Sequence, residues 1–315
     1  MKKYILAAIA VVASFVFTNA QFVITPKSGD PVNVNGNVSF SANADKTSWS
    51  VGDTYTSDMD LSKIESISLA TPVNNPKVGD FFYSDGSWST ELDASKTPIG
   101  VVFYVGDPGV DDAALRADFP GCTHGLVVGL KQAKCEWQDA YSDFGDDYEM
   151  TVGEWIEENS DYVSITTRSE AMTSVFNKIM GYNNTKGIDV YNDEFGWDYE
   201  VLVGANVSSV MSSTPAPSNT SGWYVPSVKE VSLLCSGDIA GNIGDLGYED
   251  IPDNANAILI NARLEQIPGA TALSEVYWSS TEYTESSVHT IQFKNGLIMQ
   301  TSKGGSNALR PVLAF

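Results

Sequence analysis

Apolar and polar positions alternate with a period of two in the first part of this chain, and continuous apolar runs and stretches with the wider spacing of a helix follow. Near the start, Phe22-Val23-Ile24-Thr25, Val32-Asn33-Val34, Val38-Ser39-Phe40, Trp49-Ser50-Val51 and Ile64-Glu65-Ser66-Ile67-Ser68-Leu69 read as short strands. The turn-forming run Pro26-Lys27-Ser28-Gly29-Asp30-Pro31 separates the first two. Residues 21–72 are therefore expected to form a small β-rich unit. Pro72-Val73-Asn74-Asn75-Pro76 then breaks every period, which places a linker over residues 73–77.

From residue 78 the pattern changes. Asp80-Phe81-Phe82-Tyr83 and Ser87-Trp88-Ser89-Thr90 flank Asp85-Gly86, two residues that tolerate positive φ and so favour a hairpin. Residues 98–106 and 124–130 are nearly continuous apolar runs rich in β-branched residues, as expected of strands buried on both faces. Met172, Val175, Phe176, Ile179 and Met180 recur at helical spacing, predicting a helix over 169–180 that Gly181 and Asn183-Asn184 end. Ser227-Val228-Lys229-Glu230 has the form of a capping box and starts a second helix. Residues 254–266 suggest a third, and the Ser/Thr/Pro/Asn-rich stretch 212–221 reads as a loop. The C-terminus returns to strands at 276–278, 288–293, 296–299 and 309–315, with Asn295-Gly296 as the strongest hairpin turn. The fold class expected is α+β, a mixed, loop-rich domain over 78–315 preceded by the β-rich unit.

The extreme N-terminus follows a different logic. Lys2-Lys3, an apolar run from Tyr4 to Phe17, and Thr18-Asn19-Ala20 match a secretory signal peptide over residues 1–20. The run is shorter than the roughly 20 residues a spanning helix needs, so no membrane insertion is expected after cleavage. Gln21, rather than a cysteine, would open the mature chain, which argues against a lipoprotein. The expected location is the periplasm, cell surface or surroundings of a Gram-negative bacterium. The net charge of −22 argues against nucleic acid and anionic lipid as partners. Three cysteines, Cys122, Cys135 and Cys235, leave two alternatives: a Cys122–Cys135 bridge with one free thiol, or three apolar fillers.

Candidate chemistry is sparse. Of the two histidines, His124 lies two residues from Cys122, but no third group is in place to orient a Cys/His nucleophile pair, and nothing near His289 activates it. No spacing suits zinc. Acidic groups at Asp107/Asp111/Asp112, at Asp143/Asp146/Asp147/Glu149 and at Asp189/Asn192/Asp193/Glu194/Asp198 offer oxygen ligands for calcium, but none has EF-hand spacing. Solvated acidic loops are the preferred reading, with no cofactor and no enzymatic activity expected.

Three C-terminal pieces stand out: Gly222-Trp223-Tyr224-Val225-Pro226-Ser227-Val228-Lys229-Glu230, Tyr277-Trp278-Ser279-Ser280-Thr281-Glu282-Tyr283, and Leu309-Arg310-Pro311-Val312-Leu313-Ala314-Phe315. Trp223, Pro226, Trp278 and Arg310 are read as structural members. A buried guanidinium on an apolar strand needs a partner, and Glu282 is the candidate. In order and spacing the three pieces resemble the DUF1566 family, also called the Lcl C-terminal domain, and the stretch 98–137 resembles surface proteins of Bacteroides-type gut bacteria. The resemblance implies a C-type-lectin-like fold. The cysteine pair of the formylglycine-generating relatives has no counterpart, since only Cys235 lies in that half. The function expected is an exported, non-catalytic binding module, an adhesin for a glycan or a protein on a surface. Tyr191, Trp197, Tyr199, Glu282 and Tyr283 are its candidate ligand contacts. The alternative is a structural subunit of a fimbria or other surface assembly, self-associating through residues 21–72 as an arm.

Overall fold

The computed structural model describes residues 22–27, 32–34, 40–42, 48–51, 55–60, 64–69, 75–139, 150–159, 177–195, 200–237 and 254–315. The expected signal peptide, most of the helix expected over 169–180, the acidic group at 143–149, Trp197, Asp198 and Tyr199 lie outside these residues. The chain divides into two units, Met1–Asn75 and Pro76–Phe315.

Among its described residues the first unit contains six strands: β1 (Phe22–Pro26), β2 (Val32–Val34), β3 (Phe40–Ala42), β4 (Ser48–Val51), β5 (Tyr55–Asp60) and β6 (Ile64–Leu69). They form two three-stranded antiparallel sheets, ordered β2-β1-β6 and β3-β4-β5. β5 is an addition to the sequence reading, which its Tyr-Thr-Ser-Asp-Met-Asp run, polar at four of six positions, did not signal.

The second unit is built on two five-stranded sheets. The first is ordered β16 (Val312–Ala314), β10 (Gly125–Gly129), β9 (Pro98–Val105), β7 (Phe81–Tyr83), β8 (Trp88–Ser89), all antiparallel. The β7–β8 hairpin turns at Asp85-Gly86, with Gly86 at φ 79°. β9 is central and buried on both faces. Phe81, Val101, Phe103, Leu126 and Val128 point into the main core against Val231, Leu234, Ile260 and Leu264. Phe82, Ile99, Val102, Val127, Leu313 and Phe315 form a smaller cluster on the opposite face. Each such side chain contributes about 1.5–3 kcal/mol through removal from water.

The second sheet is ordered β11 (Ala133–Cys135), β15 (Asn307–Leu309), β12 (Val276–Thr284), β13 (Ser287–Gln292), β14 (Leu297–Ser302). β12 and β15 are parallel, and the other pairs antiparallel. The tail expected as one strand over 309–315 is thus two strands in two sheets. Arg310-Pro311 forms the joint, because Pro311 has no N–H to continue a ladder. The Asn295-Gly296 hairpin joins β13 to β14, with Gly296 at φ 73°.

Among the described residues, six α-helices complete this unit: α1 (Ala113–Asp118), α2 (Val152–Asn159), α3 (Gly181–Phe195), α4 (Leu202–Val210), α5 (Val228–Ser236) and α6 (Ala255–Leu264). The capping box on α5 is formed on both sides, as its sequence predicts. The reading of Gly181 and Asn183-Asn184 as a helix end is corrected: residues 177–180 are non-helical, and Gly181 opens the 15-residue α3. The reason is steric. A Cβ at Gly181 would lie 2.2 Å from Glu230 Oε2, so glycine serves here for close approach rather than for termination. No described helix is long and apolar enough to cross a membrane.

Candidate functional site

Two of the three C-terminal sequence pieces meet at one irregularity in β12, and the third bridges to the first through Val312 and Tyr224. The register of β12 with β13 shifts between Trp278 and Glu282, leaving Ser279-Ser280-Thr281 as a bulge. The bulge frees polar groups that other elements then use. Ser280 N donates to Pro226 O at 2.8 Å, and Val228 N donates to Thr281 Oγ1 at 3.0 Å, so the bulge receives the N-terminus of α5. Asn184 Nδ2 on α3 donates to Ser280 Oγ at 3.1 Å. Ser279 Oγ donates to His289 O at 2.7 Å and accepts from Thr281 N at 3.2 Å. Bulge residues Ser279, Ser280 and Thr281 are all buried.

Glu282 ends the motif and is 1 % exposed. Its two carboxylate oxygens accept from Val152 N at 3.0 Å and Gly153 N at 3.1 Å, the first amides of α2. An anion here satisfies donors that no helical carbonyl reaches, and it lies at the positive end of the helix dipole. Lys303 Nζ, 0 % exposed, donates to Glu282 Oε1 at 2.6 Å and lies 4.8 Å from the Trp137 ring centroid. Trp137 in turn donates its Nε1 to Ser279 O at 2.8 Å, closing the circuit.

This geometry corrects the expected Glu282–Arg310 pair. Glu282 is spent on Lys303 and α2. Arg310 donates to Thr271 O at 2.9 Å and Gln132 Oε1 at 3.3 Å, and Tyr277 Oη donates to the same Gln132 oxygen at 2.7 Å. Burial without a carboxylate pushes the guanidinium down to about 10. Arg310 therefore pins the joint between the two C-terminal strands by hydrogen bonds to neutral acceptors. Trp278 is fully buried and donates to Cys135 O, Trp223 donates to Thr214 O, and Tyr224 forms an antiparallel bridge with Val312. Pro226 is the residue that accepts from the bulge.

The proposed ligand contacts separate. Glu282 is removed from that role by its burial. Tyr191 on α3 is half-buried, its ring edge-on to Trp155 of α2 at 5.2 Å, with Gln138 Nε2 donating to its hydroxyl at 3.4 Å. Glu282 and Tyr191 both meet α2, whose start one holds and whose body the other meets. Tyr283 is half-buried and edge-on to His289. Lys303, Trp137 and Trp155 were not signalled by any motif. Lys303 lies in a polar Thr-Ser-Lys-Gly run that reads as a solvated turn.

The acidic group at 107–112 proves to be a set of caps. Asp107 accepts from Gly109 N and pairs with Arg116, Asp111 accepts from Ile179 N, and Asp112 accepts from Leu115 N and Asn183 N. Among the described residues no group of three or more His, Cys, Asp and Glu is placed to hold a metal ion. Cys122 and Cys135 form no disulfide, so the bridge between them is not made. Burial raises the Cys122 and Cys135 thiols to about 11, leaving little thiolate for nucleophilic chemistry. His124 is exposed and stacks on Phe315, while Cys122 points its thiol at Asn219 O.

No protein-family model matches the chain. The sequence is 31 % identical over 239 residues to a Bacteroides ovatus protein named "Putative fimbrium tip subunit Fim1C", covering 69 % of this chain and 41 % of that one. The crystal structure of a fimbrial protein, also from Bacteroides ovatus, superposes with a TM-score of 0.60 at 22 % identity, over 94 % of this chain and 64 % of the other. The chain shares that fold and spans less than two thirds of the length of either relative.

Proposed function

We propose that this chain is a non-catalytic structural subunit of a fimbria-like surface assembly, exported to the bacterial surface, with residues 21–72 as its assembly arm. The observation that carries this reading is the fate of the signature residues. Trp278, Ser279, Ser280, Thr281, Glu282 and Arg310 are all buried and engaged with other parts of the same domain, so the motif builds a scaffold rather than an open pocket. The named relatives, both fimbrial, support the same class. The outer side of α6 adds a surface suited to assembly: Ala255, Ile258, Leu259 and Ala262 face outward, an uncharged apolar stripe on a strongly acidic chain. The test is light scattering and electron microscopy of residues 21–315 over a concentration series. Oligomers or filaments that weaken in an Ile258→Glu/Leu259→Glu variant are expected. A protein that stays monomeric at every concentration, together with unchanged surface fibres after gene deletion, overturns the proposal.

We also infer that residues 78–315 are a C-type-lectin-like domain related to the Lcl C-terminal family, supported by the order of the three motifs and the meeting of the first two at one bulge. A glycan-binding adhesin is the second reading. Tyr191 against Trp155, and Tyr283, offer aromatic faces of the kind sugars stack on, and the acidic chain favours a neutral glycan. A glycan array run with wild type and Tyr191→Ala separates it from the first: no binding on any glycan removes it.

A further inference from the structure

The start of α3 meets a cluster of buried acids that neither the assembly reading nor the Ser279–Thr281 hub uses. Glu230 is 0 % exposed. Its carboxylate accepts from Ser227 N at 2.6 Å and Tyr224 Oη at 2.7 Å, and Gly181, first residue of α3, packs directly on it. Asp112, also 0 % exposed, accepts from Asn183 N at 2.9 Å two residues further along the same turn. Ser227 Oγ accepts from Met180 N, and Asp111 accepts from Ile179 N. Four of the five positions from 179 to 183 are thus seated on Asp111, Asp112, Ser227 and Glu230, and the fifth, Tyr182, packs edge-on to Tyr224.

The titratable groups facing Glu230 are Tyr224 on its own connection, Cys122 beside Tyr224, Asp111 and Asp112 ahead of α1, and Tyr182 and Lys186 on α3. The one cation among them, Lys186, is half-exposed and bound to Asp118. No cation among the described residues makes an ion pair with either buried acid.

We propose that the junction of Glu230, Asp112 and the first turn of α3 is a pH-operated latch, closed while the junction holds a proton and loosened when the proton leaves. With Glu230 neutral, its carbonyl oxygen accepts from Ser227 N and its hydroxyl donates to Tyr224 Oη, at no charge cost. With both acids ionised, two like charges share one dry site, and the cheapest relief is for water to enter where Gly181 packs. α3 holds Asn184 against the bulge and Tyr191 against Trp155, so loosening its first turn reaches the Ser279–Thr281 hub.

Burial, followed by the nearby Asp112 charge, pushes Glu230 up to about 7, and burial raises Asp112 as well. A folded-state value above the unfolded one means the contribution to stability is fully present below the unfolded value. It is lost as pH rises through the folded value, near neutrality here.

The test is hydrogen exchange of the full chain from about pH 5.5 to about pH 8.5, corrected for the intrinsic pH dependence of exchange. Protection of the amides at 181–186 is expected to fall on the order of tenfold between about pH 7 and pH 8.5, with amides of β9 unchanged. In Glu230→Gln, which keeps the neutral hydrogen-bonding pattern, the fall should vanish. Equal protection across the range in wild type, or a fall that persists in the variant, overturns the proposal. Should the variant not fold, carbon-13 carboxyl titration of Glu230 in the wild type decides: a midpoint between about 6 and 8 supports the latch, and one below about 5 overturns it.

Discussion

The two sheets of the larger unit bury their central residues by opposite means. In the first, β9 and β10 are flanked by hydrocarbon on both faces, with Phe81, Val101 and Phe103 on one side and Phe82, Ile99 and Val102 on the other. In the second, the middle of β12 is polar: a bulge of Ser279-Ser280-Thr281, then Glu282 with Lys303 beneath Trp137. The first arrangement tolerates modest loss, since each side chain acts through its own area. The second is coupled, because each polar group there satisfies another that would otherwise be buried unpaired.

Removing one member of the coupled set gives the largest expected effect. Glu282→Ala leaves Lys303 charged in a dry site and the first amides of α2 unsatisfied, and should cost about 3–5 kcal/mol in urea unfolding. A Glu282→Gln/Lys303→Met double variant should recover a large part of that loss. Equal losses in the single and double variants would show the pair to be uncoupled and break the contrast between the sheets. In the apolar sheet, Leu126→Ala should cost about 2–5 kcal/mol, with no rescue by any second truncation nearby. Gly181→Ala forces a Cβ onto Glu230 and should cost about 1–3 kcal/mol, with the loss concentrated in α3 by hydrogen exchange. Ser227→Ala removes a helix cap and one support of Met180, for about 0.5–2 kcal/mol. The smallest effect belongs to Arg310→Lys. The charge is kept and the planar fork is lost, so a stability change close to that of an Arg310→Met variant would show that charge contributes little there.

The apolar sheet was legible in advance. Continuous runs at 98–106 and 124–130, and Asp85-Gly86 between aromatics, name β9, β10 and the β7–β8 hairpin because their determinants are local. The capping box at Ser227–Glu230 was equally readable. The hub was visible only as a motif. Nothing within Tyr277–Tyr283 says that Glu282 answers Lys303 rather than Arg310, since Arg310 lies on an apolar strand-like run and Lys303 in a run that reads as a solvated turn. Nor could periodicity show that Gly181 starts a helix. Glycine and asparagine mark a boundary without saying on which side the helix lies, and that side was set by Glu230, some fifty residues away.

By itself the sequence determined the buried runs of β9 and β10, the hairpin turns and the cap of α5, because these depend on neighbours along the chain. Tertiary structure alone decided the division of Leu309–Phe315 between two sheets, the conversion of Asp107, Asp111 and Asp112 into caps, and the partners of Glu282 and Arg310. The physical reason is the same in each case. A buried polar group is satisfied by whichever donor or acceptor the fold brings within about 3 Å, and nothing in the local sequence specifies that distance.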